Sequence, residues 1–207
     1  MITGGGAMSE LEFTEHPDSK MTTESVRPRV VIYADGSYKP AINFGGYGTL
    51  MSSEGHNLLI YGGSPGDSNN RMELTGVLSA LRRLVIPCDV LIVSDSQYVV
   101  NGLNGYIWNW AVNDWKNAKG QPVANRDLWE EMLMYCQYHV ITTQWVKGHA
   151  GHPENEQCDR LATMGAYAAA SLPSPIDVKL ESLWSKQGYP GDNDIDEIVD
   201  YYIPSGS

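Results

Sequence analysis

Long apolar runs, paired cysteines and positive charge are all scarce in this chain, and each shortage removes a class of protein. No stretch approaches the roughly 18 consecutive apolar residues of a transmembrane helix, so no membrane span is expected. No basic n-region followed by an apolar h-region opens the chain, so no secretory signal is expected either. The 207 residues include three cysteines, Cys88, Cys136 and Cys158. That number is odd and no Cys-x-x-Cys pair occurs, which argues against a disulfide framework or a zinc site and for a reducing, cytoplasmic setting. Lys and Arg number 14 against 25 Asp and Glu, a net charge of −11. A surface of that sign captures polyanions poorly.

The missing bases are unevenly distributed. Residues 1–28 hold five acids and two bases, and residues 176–207 hold seven acids and two bases. The stretch between them, 29–175, has 13 acids and 10 bases and is close to balance. Residues 1–28 are polar and without a sustained period, so we expect a disordered tail; Gly4-Gly5-Gly6 ahead of Met8 reads either as a cloning remnant or as an upstream start. Residues 29–175 form the expected single domain, and 176–207 an acidic extension.

Within that domain the patterns alternate between strand and helix. Val30–Ala34 is a β-branched apolar run and reads as a central strand. Gly45–Met51 and Asn57–Tyr61, joined by a short turn, read as a hairpin. Asn70–Ile86 has helical spacing, stopped by Pro87. Asp89–Val93 is a fourth strand, parallel to its neighbour because a helix precedes it. Helical segments over 97–103 and 106–110, an excursion over 113–125, a helix over 126–138, a fifth strand over 140–146 and a helix over 153–171 complete the pattern. The expectation is an α/β (α+β) fold, a mixed five-stranded sheet with helices on both faces.

Four carboxylates do not fit a purely structural role. Asp35 and Asp95 each follow an apolar strand-like run, and Glu73 and Asp159 fall in early turns of helical patterns. Singly, each has an ordinary explanation as an N-cap, a turn or a first-turn acid. Converging, they would repel one another unless divalent cations neutralised them, which points to metal-assisted chemistry on a phosphate.

Their flanking residues carry a family likeness. Asp35-Gly36-Ser37, Asn69-Asn70-Arg71-Met72-Glu73-Leu74, Ser94-Asp95-Ser96-Gln97-Tyr98-Val99 and the long word Trp145–Asp159, containing Lys147-Gly148-His149-Ala150-Gly151-His152-Pro153-Glu154-Asn155, together resemble bacterial type 1 ribonuclease H. The likeness runs from about Arg29 to about Ser171, in family order. It implies the ribonuclease H-like fold and endonucleolytic cleavage of the RNA strand of an RNA–DNA hybrid. It further implies a monomer, 3′-hydroxyl and 5′-phosphate ends, and two Mg²⁺ ions, with Mn²⁺ as a substitute. Oxygen donors suit those cations, and two of them can activate a water and stabilise the leaving oxygen. By resemblance Asp35 bridges both ions, Glu73 and Asp95 complete the leaving-group side, Asp159 holds the water side, and His149 moves protons or helps product leave. Ser68 and Asn125 match a pocket for a DNA-strand phosphate. Asn69, Asn70 and Gln97 match minor-groove contacts, where 2′-hydroxyls mark RNA. Tyr106 and Trp129 are candidates for stacking or sugar contact.

The sequence departs from the family where a basic handle grips the hybrid: Ala111, Val112, Asn113 and Asp114 stand where Lys and Arg are usual. Ala41 replaces an expected minor-groove Asn. Weaker, salt-sensitive binding is therefore expected. A catalytically weak hybrid-binding module of the same fold is the alternative, opposed by the presence of all four carboxylates and His149. In the acidic extension, Ile195, Ile198, Tyr201 and Tyr202 have the spacing of a sliding-clamp-binding peptide, against a plain packed or disordered tail.

Overall fold

The computed structural model describes residues 27–171 and the backbone of Ile198 and Val199. Strands β1 (Arg29–Lys39), β2 (Phe44–Ser53) and β3 (His56–Pro65) form an antiparallel meander. Helix α1 (Asn69–Leu81) crosses to β4 (Asp89–Ser94), which pairs parallel to β1. Short helices α2 (Gln97–Asn101) and α3 (Ile107–Val112) are joined by a π turn at Gly102–Tyr106. Helix α4 (Arg126–Tyr138), β5 (Val140–Trp145), parallel to β4, and α5 (Pro153–Ser171) follow. The sheet order is β5-β4-β1-β2-β3, extended at the β3 edge by a two-residue strand β6 (Ile198–Val199). The expected five-stranded mixed sheet is present; the sixth strand is an addition, Ile198 pairing with Ile60 and Val199 with Tyr61. Ile195, Tyr201 and Tyr202 lie outside the described residues.

Alternation along the strands makes two cores. Val30, Ile32 and Ala34 of β1 face one side, in a core with Leu74, Val77 and Leu78 of α1 that Leu128, Trp129 and Met132 of α4 extend. On the other side Leu50, Leu59 and Tyr61 pack with Cys158 and Leu161 of α5, with Tyr33 against them. Buried residues of α5 recur at Cys158, Leu161, Ala162, Gly165 and Ala166, the i, i+3, i+4 stripe of a helix lying on a surface.

Several boundaries differ from those read in the sequence. Strand β1 continues through Asp35 to Lys39, because its ladder to β2 holds from Val31↔Ser52 to Lys39↔Phe44. Asp35 is thus interior to a strand and not at its end. Helix α1 stops at Leu81, well short of Pro87. Arg83 and Leu84 then bond back three residues, to Ala80 and Leu81, tightening the chain out of the α-helix. Val85, within the 70–86 stretch of helical spacing, lies beyond the helix and is 84% exposed. The hairpin turn places Glu54 at φ 50° and Gly55 at φ 79°, both left-handed, as a two-residue type I′ turn requires.

Candidate active site

The four carboxylates come from four elements, and backbone contacts bring those elements together. Asp35 sits opposite Gly48 in the β1–β2 register, so both point to the α5 side of the sheet. A Cβ on Gly48 would overlap the Cys158 carbonyl and Ala162 nitrogen; its absence lets α5 lie directly on β2. That contact brings Asp159 to the Asp35 side. Gly36, facing the other way, would place a Cβ 2.8 Å from Met72 C and still nearer to Glu73 N, so the first turns of α1 rest on β1 beside Asp35. Asp95 follows β4 immediately, on the strand adjacent to β1.

Neighbouring side chains hold these groups. The Ser96 hydroxyl donates to Glu73 Oε2 and accepts from Val99 N at 3.3 Å, capping α2 and fixing the glutamate with one oxygen. Asn155, 3% exposed, donates from Nδ2 to Asp95 Oδ2 at 3.2 Å. The end of β5 and the loop after it meet the same aspartate: Trp145 Nε1 donates to the Asp95 carbonyl at 3.0 Å, and a Cβ on Gly148 would overlap Asp95 Oδ2. Gly36 N donates to Asp35 Oδ1 at 2.7 Å. Cys158 is fully buried, its thiol directed at the Tyr33 carbonyl at 3.3 Å; burial pushes its pKa far up, so it is a packing residue and not a nucleophile. Ser96, Gly148 and Asn155 lie inside the sequence words that drew attention, but nothing in those words alone gives them a role.

The electrostatics are those of crowded like charges. Burial pushes the Asp35 carboxyl up to about 7, and Asp95, Asp159 and Glu73 add to the rise against the Gly36 hydrogen bond. Glu73 is raised by burial and by Asp95, against the Ser96 hydrogen bond. Among the described residues, no three His, Cys, Asp or Glu side chains are gathered into a ready-made metal cage. The carboxylates feel one another's charge without closing on a point. Their donors are all hard oxygens, and a divalent cation would relieve the repulsion at Asp35, so the set fits Mg²⁺ or Mn²⁺.

The other expected residues are scattered around this centre. His149 is exposed on the loop before α5, in a left-handed conformation at φ 53°. Ser68 caps α1, its hydroxyl accepting from Arg71 N at 3.3 Å. Asn69 Oδ1 accepts from Tyr38 N, so part of its hydrogen-bonding capacity already ties α1 to β1. Asn70 and Gln97 are exposed. Asn125, at φ 55°, donates from Nδ2 to Tyr98 Oη at 3.3 Å. Tyr106 is 54% exposed and, with Asn109, Trp110, Asn113 and Lys116, lines a groove of about 800 Å³. Trp129 is a correction: it is 0% exposed, its indole N–H donates to Tyr98 Oη at 2.8 Å, and it packs edge-on against Tyr98 and Trp110. Gly102 leaves the space its ring occupies. A side chain so enclosed is core and offers a substrate no surface.

Comparison with known proteins agrees with this arrangement. The RNase H family profile matches residues 27–167. Ribonuclease H of Pelobacter propionicus is 45% identical over 148 residues, spanning 70% of this chain and 91% of that protein. Ribonuclease HI of Neisseria meningitidis serogroup B is 47% identical over 137 residues, spanning 66% and 94%. Among solved structures, LC9-RNase H1, a type 1 RNase H with the type 2 active-site motif, superposes with a TM-score of 0.63 at 31% identity, covering 69% of this chain and 74% of that one. With the family profile matching residues 27–167 and relatives up to 47% identical across most of their own length, the chain belongs to the ribonuclease H family.

Proposed function

We propose that this protein hydrolyses the RNA strand of RNA–DNA hybrids internally, leaving 3′-hydroxyl and 5′-phosphate ends. The observation that carries the reading is the convergence on Asp35, a half-buried carboxyl raised to about 7 by burial and by three other carboxylates from separate elements. A protein keeps such a group against its electrostatic cost when a cation is to be bound. Asp35, Glu73, Asp95 and Asp159 would hold two Mg²⁺ ions, or Mn²⁺ in their place. The bound metal would activate a water and neutralise the leaving oxygen.

The chain's own residues do the positioning. Asn155 and the Trp145 indole fix Asp95, and Ser96 fixes Glu73. His149, exposed beside the centre, exchanges protons with solvent and substrate. Ser68 and Asn125 take a DNA-strand phosphate, and Asn69, Asn70, Gln97 and Tyr106 meet the minor groove. One chain supplies every carboxylate, so a monomer suffices. Residues 29–175 are taken as the catalytic domain, and three free cysteines accord with the cytoplasm. Clamp contact through Ile195, Ile198, Tyr201 and Tyr202 would compete with the Ile198–Ile60 pairing; loss of residues 190–207 should abolish it, and unchanged clamp binding would dispose of it.

The test is cleavage of end-labelled RNA–DNA hybrid, duplex RNA and single-stranded RNA with Mg²⁺, Mn²⁺ or chelator. Hybrid alone should be cut, and chelation should stop it. Equal cleavage of all three, or cleavage that survives the chelator, would sink the reading.

A further inference from the structure

An apolar surface remains uncovered at the end of the sheet where β4 and β5 begin. Val85 is 84% exposed, Met134 67%, Ile86 52% and Val140 49%. Tyr138 Oη donates to the Val85 carbonyl at 3.4 Å, so the loop after α1 and the last turns of α4 form one continuous patch. Between them runs a groove of about 560 Å³, floored by Leu84 and Tyr135. Exposed apolar side chains scattered singly are ordinary, but a contiguous set with a groove marks a docking surface. The patch is remote from the carboxylates: β4 begins beside it and reaches Asp95 only after six residues, about 20 Å of strand.

The chain itself supplies an occupant. Asp89 N donates to the Pro28 carbonyl at 2.9 Å, and Arg29, Asp89 and Val140 lie side by side in register. Two strand spacings therefore separate Arg29 from Val140, about 10 Å. Arg27 lies close enough to His139, at the foot of α4, to act on its charge. Residues 1–26 thus leave the body beside the patch. At up to about 3.5 Å per extended residue, a few of them cover the distance. Residues 8–26 carry Leu11, Phe13, Met21 and Val26 among Glu10, Glu12, Glu15, Asp18 and Glu24. Arg82 pairs with Glu131 on the groove's lining, Arg83 directly precedes Leu84, and Arg27 acts on His139, which follows Tyr138. Of the acidic C-terminal extension, Ile198 and Val199 pair with β3, at the opposite edge of the sheet.

We propose that residues 8–26 fold back over the groove, with Leu11 and Phe13 against Met134 and Tyr138. Hydrogen–deuterium exchange on the full chain tests this. Amides of residues 10–26 should exchange about five-fold or more slower than in the same segment as a free peptide. Met134→Glu and Val85→Glu, both at exposed positions, should each restore free-peptide exchange, as should Leu11→Ser with Phe13→Ser. Hybrid cleavage by these variants should be unchanged, which also reports that the body is folded. Free-peptide exchange in the unsubstituted chain would overturn the proposal. So would protection that persists in Met134→Glu, which places the segment elsewhere. A concentration-dependent dimer that covers Met134 would overturn it in favour of a second copy.

Discussion

The carboxylate centre and the excursion between α2 and α4 are built on opposite principles. The centre rests on strand β1 and on helices pressed against glycines, with Asp95 and Glu73 each fixed by a neighbour. The excursion is a π turn, a short helix and loops in which Asp114 and Trp115 take left-handed conformations at φ 55° and 54°. Two cations there are engaged inside the molecule: Lys116 with Asp114 at 2.8 Å and Arg126, the first residue of α4, with Glu130 at 2.8 Å. Nearby, Arg71 forms a two-pronged pair with Asp127, at 3.0 and 2.7 Å. The carboxylates are held by fixed neighbours, whereas Lys116, Arg126 and Arg71 must be released from internal partners to meet a polyanion.

The sharpest way to break this contrast is at its rigid half. Asp35→Asn should cut hybrid cleavage on the order of 10³-fold or more. Its thermal midpoint should stay level or rise, because the substitution removes a buried charge among like charges. An active Asp35→Asn enzyme would remove the centre from the argument altogether.

Asn155→Ala should lower cleavage about 10- to 100-fold, the usual effect of losing a group that orients a metal-binding carboxylate. The loss should appear in kcat and in the metal concentration needed, with hybrid KM little changed. Gly48→Ala should cost about 1–3 kcal/mol in urea unfolding, because the new methyl has no room beneath α5. A neutral result would mean that α5 is free to lift from β2.

The excursion should answer more weakly and only at low salt. Asp114→Asn with Glu130→Gln releases Lys116 and Arg126, and hybrid KM should fall about two- to five-fold at 50 mM salt. The gain should fade by 200 mM. A gain independent of salt would mean that those cations never met the phosphates.

The smallest effect is on pH-dependent stability. His139 is 4% exposed; burial and Arg27 hold its pKa below the ordinary 6.5, while Nδ1 accepts from Cys88 N at 3.1 Å. A depressed pKa means that the unfolded chain takes up the proton first. Its stabilising contribution is therefore present above about 6.5 and declines as pH falls through the folded-state value. Denaturation midpoints should drop over that window, and His139→Gln should flatten the slope.

Much of this molecule was legible in one dimension. β-branched runs located the strands, helical spacing located α1, α4 and α5, and the words around Asp35, Glu73, Asp95 and Asp159 singled out the four carboxylates proposed to hold metal. Such features are local: side-chain periodicity and the residues flanking a reactive group are written in consecutive positions. What stayed hidden depends on contacts between distant segments. Trp129 looked like a stacking residue until Gly102, 27 positions away, proved to make room for its ring in the core. Val85 kept the helical spacing but lost the helix, since α1 tightens at Arg82–Leu84. Asn155 and Ser96 acquired roles only when α5 and α2 came to rest beside Asp95 and Glu73. The sequence by itself determined which groups are candidates to carry the chemistry, because residue type and spacing are covalent facts. Tertiary structure alone decided which side chains hold them in place and which aromatics are buried, because burial and long-range hydrogen bonds arise only when separate elements pack.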